Sequence, residues 1–124
     1  MDDEPGRSTD AICRLRERVH WRPRKDTQHL AKRIEIGQLP VGTTLAEYDA
    51  TIIGAISPST AEVVVYRWGE PVYPTVVADV EGVRWLVMVG LDSVIETAFS
   101  AEDPETYLAK LRFQRLGTLE ELGL

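Results

Sequence analysis

The chain reads as an α+β fold: N-terminal helices packed on a four-stranded antiparallel meander sheet, with a C-terminal helix. Three observations carry this expectation. Apolar residues recur at helical spacing as far as Ile56. From Glu62 that period gives way to runs rich in Val, Trp, Tyr and Phe. The turns between those runs are too short to hold a crossover helix, so neighbouring strands are expected to pair antiparallel. Helices first and strands afterwards is the order of an α+β domain. With 124 residues the chain has enough apolar material for one core. The expected organisation is a flexible acidic tail over 1–9 and one domain over 10–124.

The first helix is expected from Asp10, which can cap it, with Ile12, Leu15 and Val19 on one side and Pro23 as its stop. Asp26 or Thr27 then opens a second helix, which carries Leu30 and Ile34 one turn apart and meets Gly37 near its end. The third has the clearest start. Thr44-Leu-Ala-Glu47 has the capping-box form, in which hydroxyl and carboxylate satisfy end N–H groups reciprocally. Leu45, Tyr48, Ile52, Ile53 and Ile56 follow on one stripe, and Ser57-Pro58 ends it.

Strands are expected over 62–68, 72–79, 83–91 and 94–99, separated by Gly69-Glu70-Pro71, Glu81-Gly82 and Leu91-Asp92-Ser93. Val83, Trp85, Val87 and Val89 alternate onto one face, the expected core side. Pro74 lacks an N–H for the ladder and points to an edge or a bulge. Asp103-Pro104 resembles a helix start, predicting a last helix to about Arg115, with Tyr107, Leu108 and Leu111 inward and Gly117 beyond its end.

Composition narrows the function classes. Apolar residues are 44% and charged residues 27%, as in ordinary globular domains. No apolar run approaches the roughly 18 residues that span a bilayer, so no membrane role is expected. The opening MDDEPGRSTD has no apolar stretch of the kind a secretory leader needs. Cys13 is the one cysteine and can form no internal disulfide, which fits a reducing, cytoplasmic setting. The net charge of −6 disfavours broad non-specific binding to nucleic acid. Yet residues 11–36 hold eight Lys/Arg against three Asp/Glu, while residues 37–124 hold five against thirteen. The basic segment is either a solvated face or a contact surface for an anion.

Few residues offer chemistry. There is no phosphate-binding glycine loop, HExxH, CxxC or GxSxG. Cys13, His20 and His29 lack metal-ligand spacing, and neither a metal nor another cofactor is expected. His29 falls at the rim of the second helix's apolar stripe, with Arg33 one turn on and Lys32 beside it. A rim imidazole suits acid/base work, and the cations suit a phosphate. Thr97, late in the last strand, is expected to share a face with Ile95 and Phe99, with Glu96 pointing the other way. Asp49 sits inside an apolar stripe and needs a donor, for which Arg33, Arg84 or a Tyr hydroxyl are the candidates. Tyr66, Arg67 and Arg84 are further candidates to line a cleft. Each residue also has an ordinary structural explanation as a solvated helical group or a strand former.

Taken in order, these features resemble a known family. His-Leu-Ala-Lys-Arg (29–33), then Glu-Tyr (47–48) with Ile52, Ile53 and Ile56, then a meander ending in Glu-Thr-Ala-Phe (96–99), look like the barnase/EndoU/colicin/RelE-like nucleases. The likeness is to the small domains of phage and polymorphic-toxin contexts and spans approximately residues 26–110. It implies metal-independent RNA cleavage, with His29 as acid/base, Arg33 as phosphate clamp and Thr97 as a strand-borne hydroxyl that orients the phosphate. Lys32, Tyr66 and Arg84 would assist substrate binding. RNA is then the expected partner. The chain departs from the pattern in its acidic sheet half and in having no dense Lys/Arg set on the strands. The competing expectation is a non-catalytic interaction protein: an antitoxin or immunity partner that docks on a basic protein, or a degenerate member of the same fold.

Overall fold

The computed structural model describes residues 4–67, 72–100 and 113–124. Three helices come first: α1 (Glu4–Glu17), α2 (Lys25–Glu35) and α3 (Leu45–Ile56). Five strands follow: β1 (Glu62–Arg67), β2 (Val72–Val80), β3 (Val83–Val89), β4 (Ile95–Ser100) and β5 (Phe113–Thr118). They form one antiparallel sheet in the order β4-β3-β2-β1-β5. The class is therefore α+β, with a meander of four strands and a fifth strand added beside β1.

Two ends of this arrangement differ from the sequence expectation. Helix α1 begins at Glu4 rather than Asp10, so residues 4–9 of the expected tail are helical, and Ser8 is fully buried with Ala11, Ile12 and Leu15. Pro5 belongs in a first turn, where its missing N–H costs nothing. The expected C-terminal helix lies partly outside the described residues, and where it was to finish, Phe113–Thr118 is strand. Pairing with the otherwise vacant edge of β1 overrides local propensity there. Gly117, expected beyond a helix end, lies inside β5 at φ 147, next to a bulge at Val63/Val64 that only glycine takes easily.

Local signals decide the other helix ends. Thr44 and Glu47 form the full capping box at α3. Gly37 closes α2 at φ 79, while Gln38 N–H donates to Arg33 C=O and Gly37 N–H to Ile34 C=O, the paired bonds of a Schellman turn. Two ends are exceptions: α1 stops at Glu17, short of the expected Pro23 and leaving Val19 outside it, and Arg24, left-handed at φ 69 and without a side-chain cap, occupies the position at the start of α2 expected for Asp26 or Thr27.

Tyr48, Ile52, Ala55 and Ile56 of α3, with Ile12 and Leu15 of α1, meet Val63, Val76, Trp85, Val87, Val89, Ile95 and Ala98 of the sheet in the main core. The alternation expected for β3 thus holds for Trp85, Val87 and Val89, while Val83 at the turn stays 45% exposed. Val64, Val77, Leu86 and Phe99 cluster on the opposite face. Pro74 lies in a central strand, not at an edge. It is tolerated because the ladder to β3 begins one residue later, at Thr75, and Pro74 pairs only with Val65 of β1. Helix α2 packs between α3 and the edge strand β4, which brings the basic segment to that edge. Among the described residues no helix is long and apolar enough to cross a membrane.

Candidate functional site

The site is built along the outer edge of β4. An edge strand presents unpaired backbone groups, and here the α1–α2 connection takes the first of them. Ile95 N–H donates to His20 C=O at 2.8 Å, and Trp21 forms a parallel bridge with Ile95. At the far end Ser100 N–H donates to the Gln38 side-chain carbonyl at 3.0 Å. From the core side the buried Tyr48 hydroxyl donates to Ala98 C=O, and burial raises its pKa far above neutrality, so it remains a donor. Helix α2 runs between these anchors, laying His29 against Thr97 and Arg33 over Phe99.

A bulge sets what faces the helix. Val89 pairs with Ile95, but Met88 pairs with Thr97, so Glu96 is the extra residue. The expected alternation is broken there. Ile95 and Ala98 enter the main core, Phe99 packs on the other face, and Glu96 turns to line the same cleft as Thr97 instead of pointing away. That open cleft, about 440 Å³, is lined by Arg22, Lys25, His29, Ile95, Glu96 and Thr97.

His29 and Thr97 therefore converge. Thr97 Oγ1 lies 3.3 Å from His29 Nδ1, within hydrogen-bond reach, which leaves Nε2 for other partners. The imidazole is half-buried against Trp21, with ring centroids 5.4 Å apart. Burial lowers its pKa below 6.5, the positive charges of Arg33 and Lys25 lower it further, and Glu96 opposes them. The ring is consequently neutral near pH 7 and able to accept a proton.

Trp21 is pinned at two places. Its backbone bridges β4, and its indole N–H donates to Asp49 Oδ1 at 3.1 Å. The donor that Asp49 requires is thus Trp21 rather than Arg33, Arg84 or a tyrosine. Burial raises the Asp49 pKa, the Trp21 bond partly offsets this, and nearby Asp26 adds to the rise. Trp21 in turn touches Tyr48 at 5.6 Å, so the wall behind His29 is continuous with the core.

Charges in the cleft are partly spent on one another. Arg22 meets Glu96 at 2.9 Å and Asp92 at 3.8 Å. Lys25 lines the cleft without an ion pair among the described residues. Arg33 does not line it; with Gln28, Lys32 and His29 it forms a neighbouring hollow. Lys32 contacts Glu35 at 3.9 Å.

Two of the expected substrate-binding residues stand elsewhere. Arg84 pairs with Asp79 at 2.9 Å across the β2–β3 hairpin and borders a different pocket with Pro58, Thr60 and Glu62. It precedes Met88, the partner of Thr97, by four residues, about 13 Å along a strand. Tyr66 is on β1, separated from β4 by two strands, where its ring lies 6.4 Å from that of Tyr73. The side chain of Arg67 lies outside the described residues. Cys13 is exposed on α1, and His20 contributes its carbonyl to the β4 edge. Among the described residues no three His, Cys, Asp or Glu side chains gather as a metal site.

The chain matches no protein-family model, no curated protein and no solved structure. Function must therefore be read from the site itself. Reading the sequence singled out His29, Thr97, Lys32 and Arg33 but passed over Glu96, Arg22 and Lys25 as lining of this cleft and Trp21 as the wall behind His29. Trp21 carried a usable signal, as a large apolar side chain in a basic, proline-bounded connection. Glu96 carried none, because a bulge is set by pairing between strands.

Proposed function

We propose that this domain cleaves RNA without a metal, by general acid/base transesterification, as an endoribonuclease of the barnase/EndoU/colicin/RelE-like group. The observation that supports this reading best is the approach of Thr97 Oγ1 to His29 Nδ1 in a cleft that also holds Lys25. His29 and Thr97, 68 positions apart, provide a neutral imidazole and a hydroxyl that fixes its ring, and Lys25 provides an ammonium without a carboxylate partner among the described residues.

In the reaction the ribose 2′-oxygen bonds to the adjacent phosphorus and the bond to the 5′-oxygen breaks. In the tautomer that this reaction uses, His29 Nδ1–H donates to Thr97 Oγ1, and the unprotonated Nε2 takes the 2′-hydroxyl proton. The imidazolium so formed returns that proton to the departing 5′-oxygen, leaving a 2′,3′-cyclic phosphate and a free 5′-hydroxyl. Lys25 stabilises the added negative charge on the phosphoryl oxygens. Glu96, tied to Arg22, keeps the approach to the ring polar.

The test is cleavage of mixed transfer and ribosomal RNA in EDTA by the wild type, His29→Ala and Thr97→Ala. Loss of acid/base catalysis costs about 10²–10⁴-fold, so His29→Ala should lose at least about a hundredfold. Thr97→Ala should lose about tenfold, the value of one positioning hydrogen bond of about 1.4 kcal/mol. RNA left intact by concentrated wild-type protein would remove this reading and favour the non-catalytic partner of a basic protein.

A further inference from the structure

The cleft and the most uncompensated positive charge are different places. In the cleft, Arg22 is held by Glu96 and Asp92, which leaves Lys25 as its one cation without an ion pair among the described residues. On the other side of His29, the hollow of about 190 Å³ is lined by Gln28, His29, Lys32 and Arg33, and by no carboxylate. At about 30 Å³ per water molecule it has room for a group several waters in size.

Arg33 is its unusual member. The guanidinium carbon lies 5.8 Å from the Phe99 ring centroid, so one side of the group is already dry. Its Nε is shut off from solvent and has no acceptor. Among the described residues the guanidinium has neither an ion pair nor a hydrogen bond. A half-buried cation left uncompensated by its own protein gains strongly from an anion, and its planar fork matches a phosphoryl group. Lys32 adds to this, because its Glu35 contact is long and exposed and gives way readily to a better anion. Gln28 supplies a neutral amide donor at the rim.

Helical spacing joins the hollow to the cleft. Lys25, His29, Lys32 and Arg33 fall on one stripe of α2, with Lys25 and Lys32 about 10 Å apart along its axis and the imidazole between them. We infer that the Gln28/Lys32/Arg33 hollow is a second anion subsite, which holds a phosphoryl group adjoining the one in the cleft, so that a substrate spans His29 with an anion on each side. Arg33 thereby anchors the substrate at a distance from the reacting atoms. Identification of the substrate as a phosphodiester chain rests on the ribonuclease reading, whereas occupation of the hollow by phosphate does not.

The experiment titrates inorganic phosphate into the full chain at low salt, following the Arg33 Nε–H and His29 ring resonances by NMR. Saturable shifts at Arg33 are expected. Arg33→Gln should weaken binding by about tenfold or more, the value of a charge-assisted hydrogen bond. Lys25→Gln should weaken it less, and Arg33→Lys, which retains the charge without the fork, should fall between. Absence of saturable binding, an unmoved Arg33 signal, or a larger loss from Lys25→Gln than from Arg33→Gln would overturn the subsite. An oligodeoxyribonucleotide, which lacks the 2′-hydroxyl and cannot be cut by this route, is then added. Displacement of phosphate from Arg33 assigns the hollow to a phosphodiester chain, and failure to displace it overturns that assignment. Phosphate binding at Arg33 together with intact RNA would refute the nuclease and keep the subsite, whereas cleaved RNA without that binding would do the reverse.

Discussion

Removing one oxygen atom from Tyr48 should loosen β4 without emptying the core. The Tyr48 side chain is fully buried, its ring packs 5.6 Å from Trp21 and 6.3 Å from Trp85, and its hydroxyl donates to Ala98 C=O. Tyr48→Phe preserves the ring and its contacts. It removes one hydrogen bond, worth about 1 kcal/mol net, and leaves a buried carbonyl lacking that donor, a penalty of about 1–3 kcal/mol when complete. A loss of about 1–2 kcal/mol is expected, because Ala98 lies in an edge strand whose backbone can shift slightly. With m of about 1–2 kcal/mol/M in urea for a chain of this size, the denaturation midpoint should fall by about 1 M with m unchanged. Tyr48→Leu would add a cavity and cost about 3–5 kcal/mol in total, separating packing from the hydrogen bond. A Tyr48→Phe midpoint within about 0.2 M of the wild type would refute the reasoning, since one buried bond can hardly be worth so little. Because Ala98 adjoins Thr97, the same variant should also broaden the His29 and Thr97 resonances.

Three further outcomes follow from the same edge. Asp49→Ala removes the acceptor of the Trp21 indole and should cost about 1 kcal/mol, whereas Asp49→Asn keeps an acceptor and should be neutral or slightly stabilising at pH 7. The sign of the second comes from the raised Asp49 pKa: the folded state binds that proton more tightly, so its contribution is present below 3.8 and lost as pH rises through the folded value. His29 has the opposite linkage. Its folded pKa is lowered, so its contribution is present above 6.5 and lost as pH falls through the folded value. Urea midpoints between about pH 5 and pH 7.5 should therefore decline less on acidification for His29→Gln than for the wild type. Finally, a Cβ at Gly90 would come within 2.5 Å of Asp92 Oδ1, which accepts from Val94 N–H at 3.1 Å. Gly90→Ala should turn that carboxylate away and lower stability by about 1 kcal/mol, measured by thermal melting.

What could be read in the sequence was what neighbours along the chain decide. Thr44 and Glu47 cap α3 through groups three residues apart, and Gly37 closes α2 through its own left-handed turn. Val87 and Trp85 face the core because a strand alternates. His29 and Arg33 were found together because a helix repeats every 3.6 residues. The features that escaped are settled between distant segments. The extra residue Glu96 depends on how β4 pairs with β3, and β5 forms because β1 has a free side. Asp49 found an indole donor 28 residues away, which no local pattern indicates. At the start of α1, burial of Ser8 and Ala11 extends a helix that capping preference alone would begin at Asp10.

The closed edge of β4 also limits how this sheet can grow. With Ile95 and Ser100 bonded to His20 and Gln38, and with α2 alongside, an incoming strand finds few groups to pair with there. Among the described residues the other end of the sheet is β5. Stacking of sheets edge to edge into a fibre needs both end strands, so closure at β4 alone is enough to interrupt it. The same contacts that hold the imidazole against its threonine thus also stand against fibre growth through this sheet.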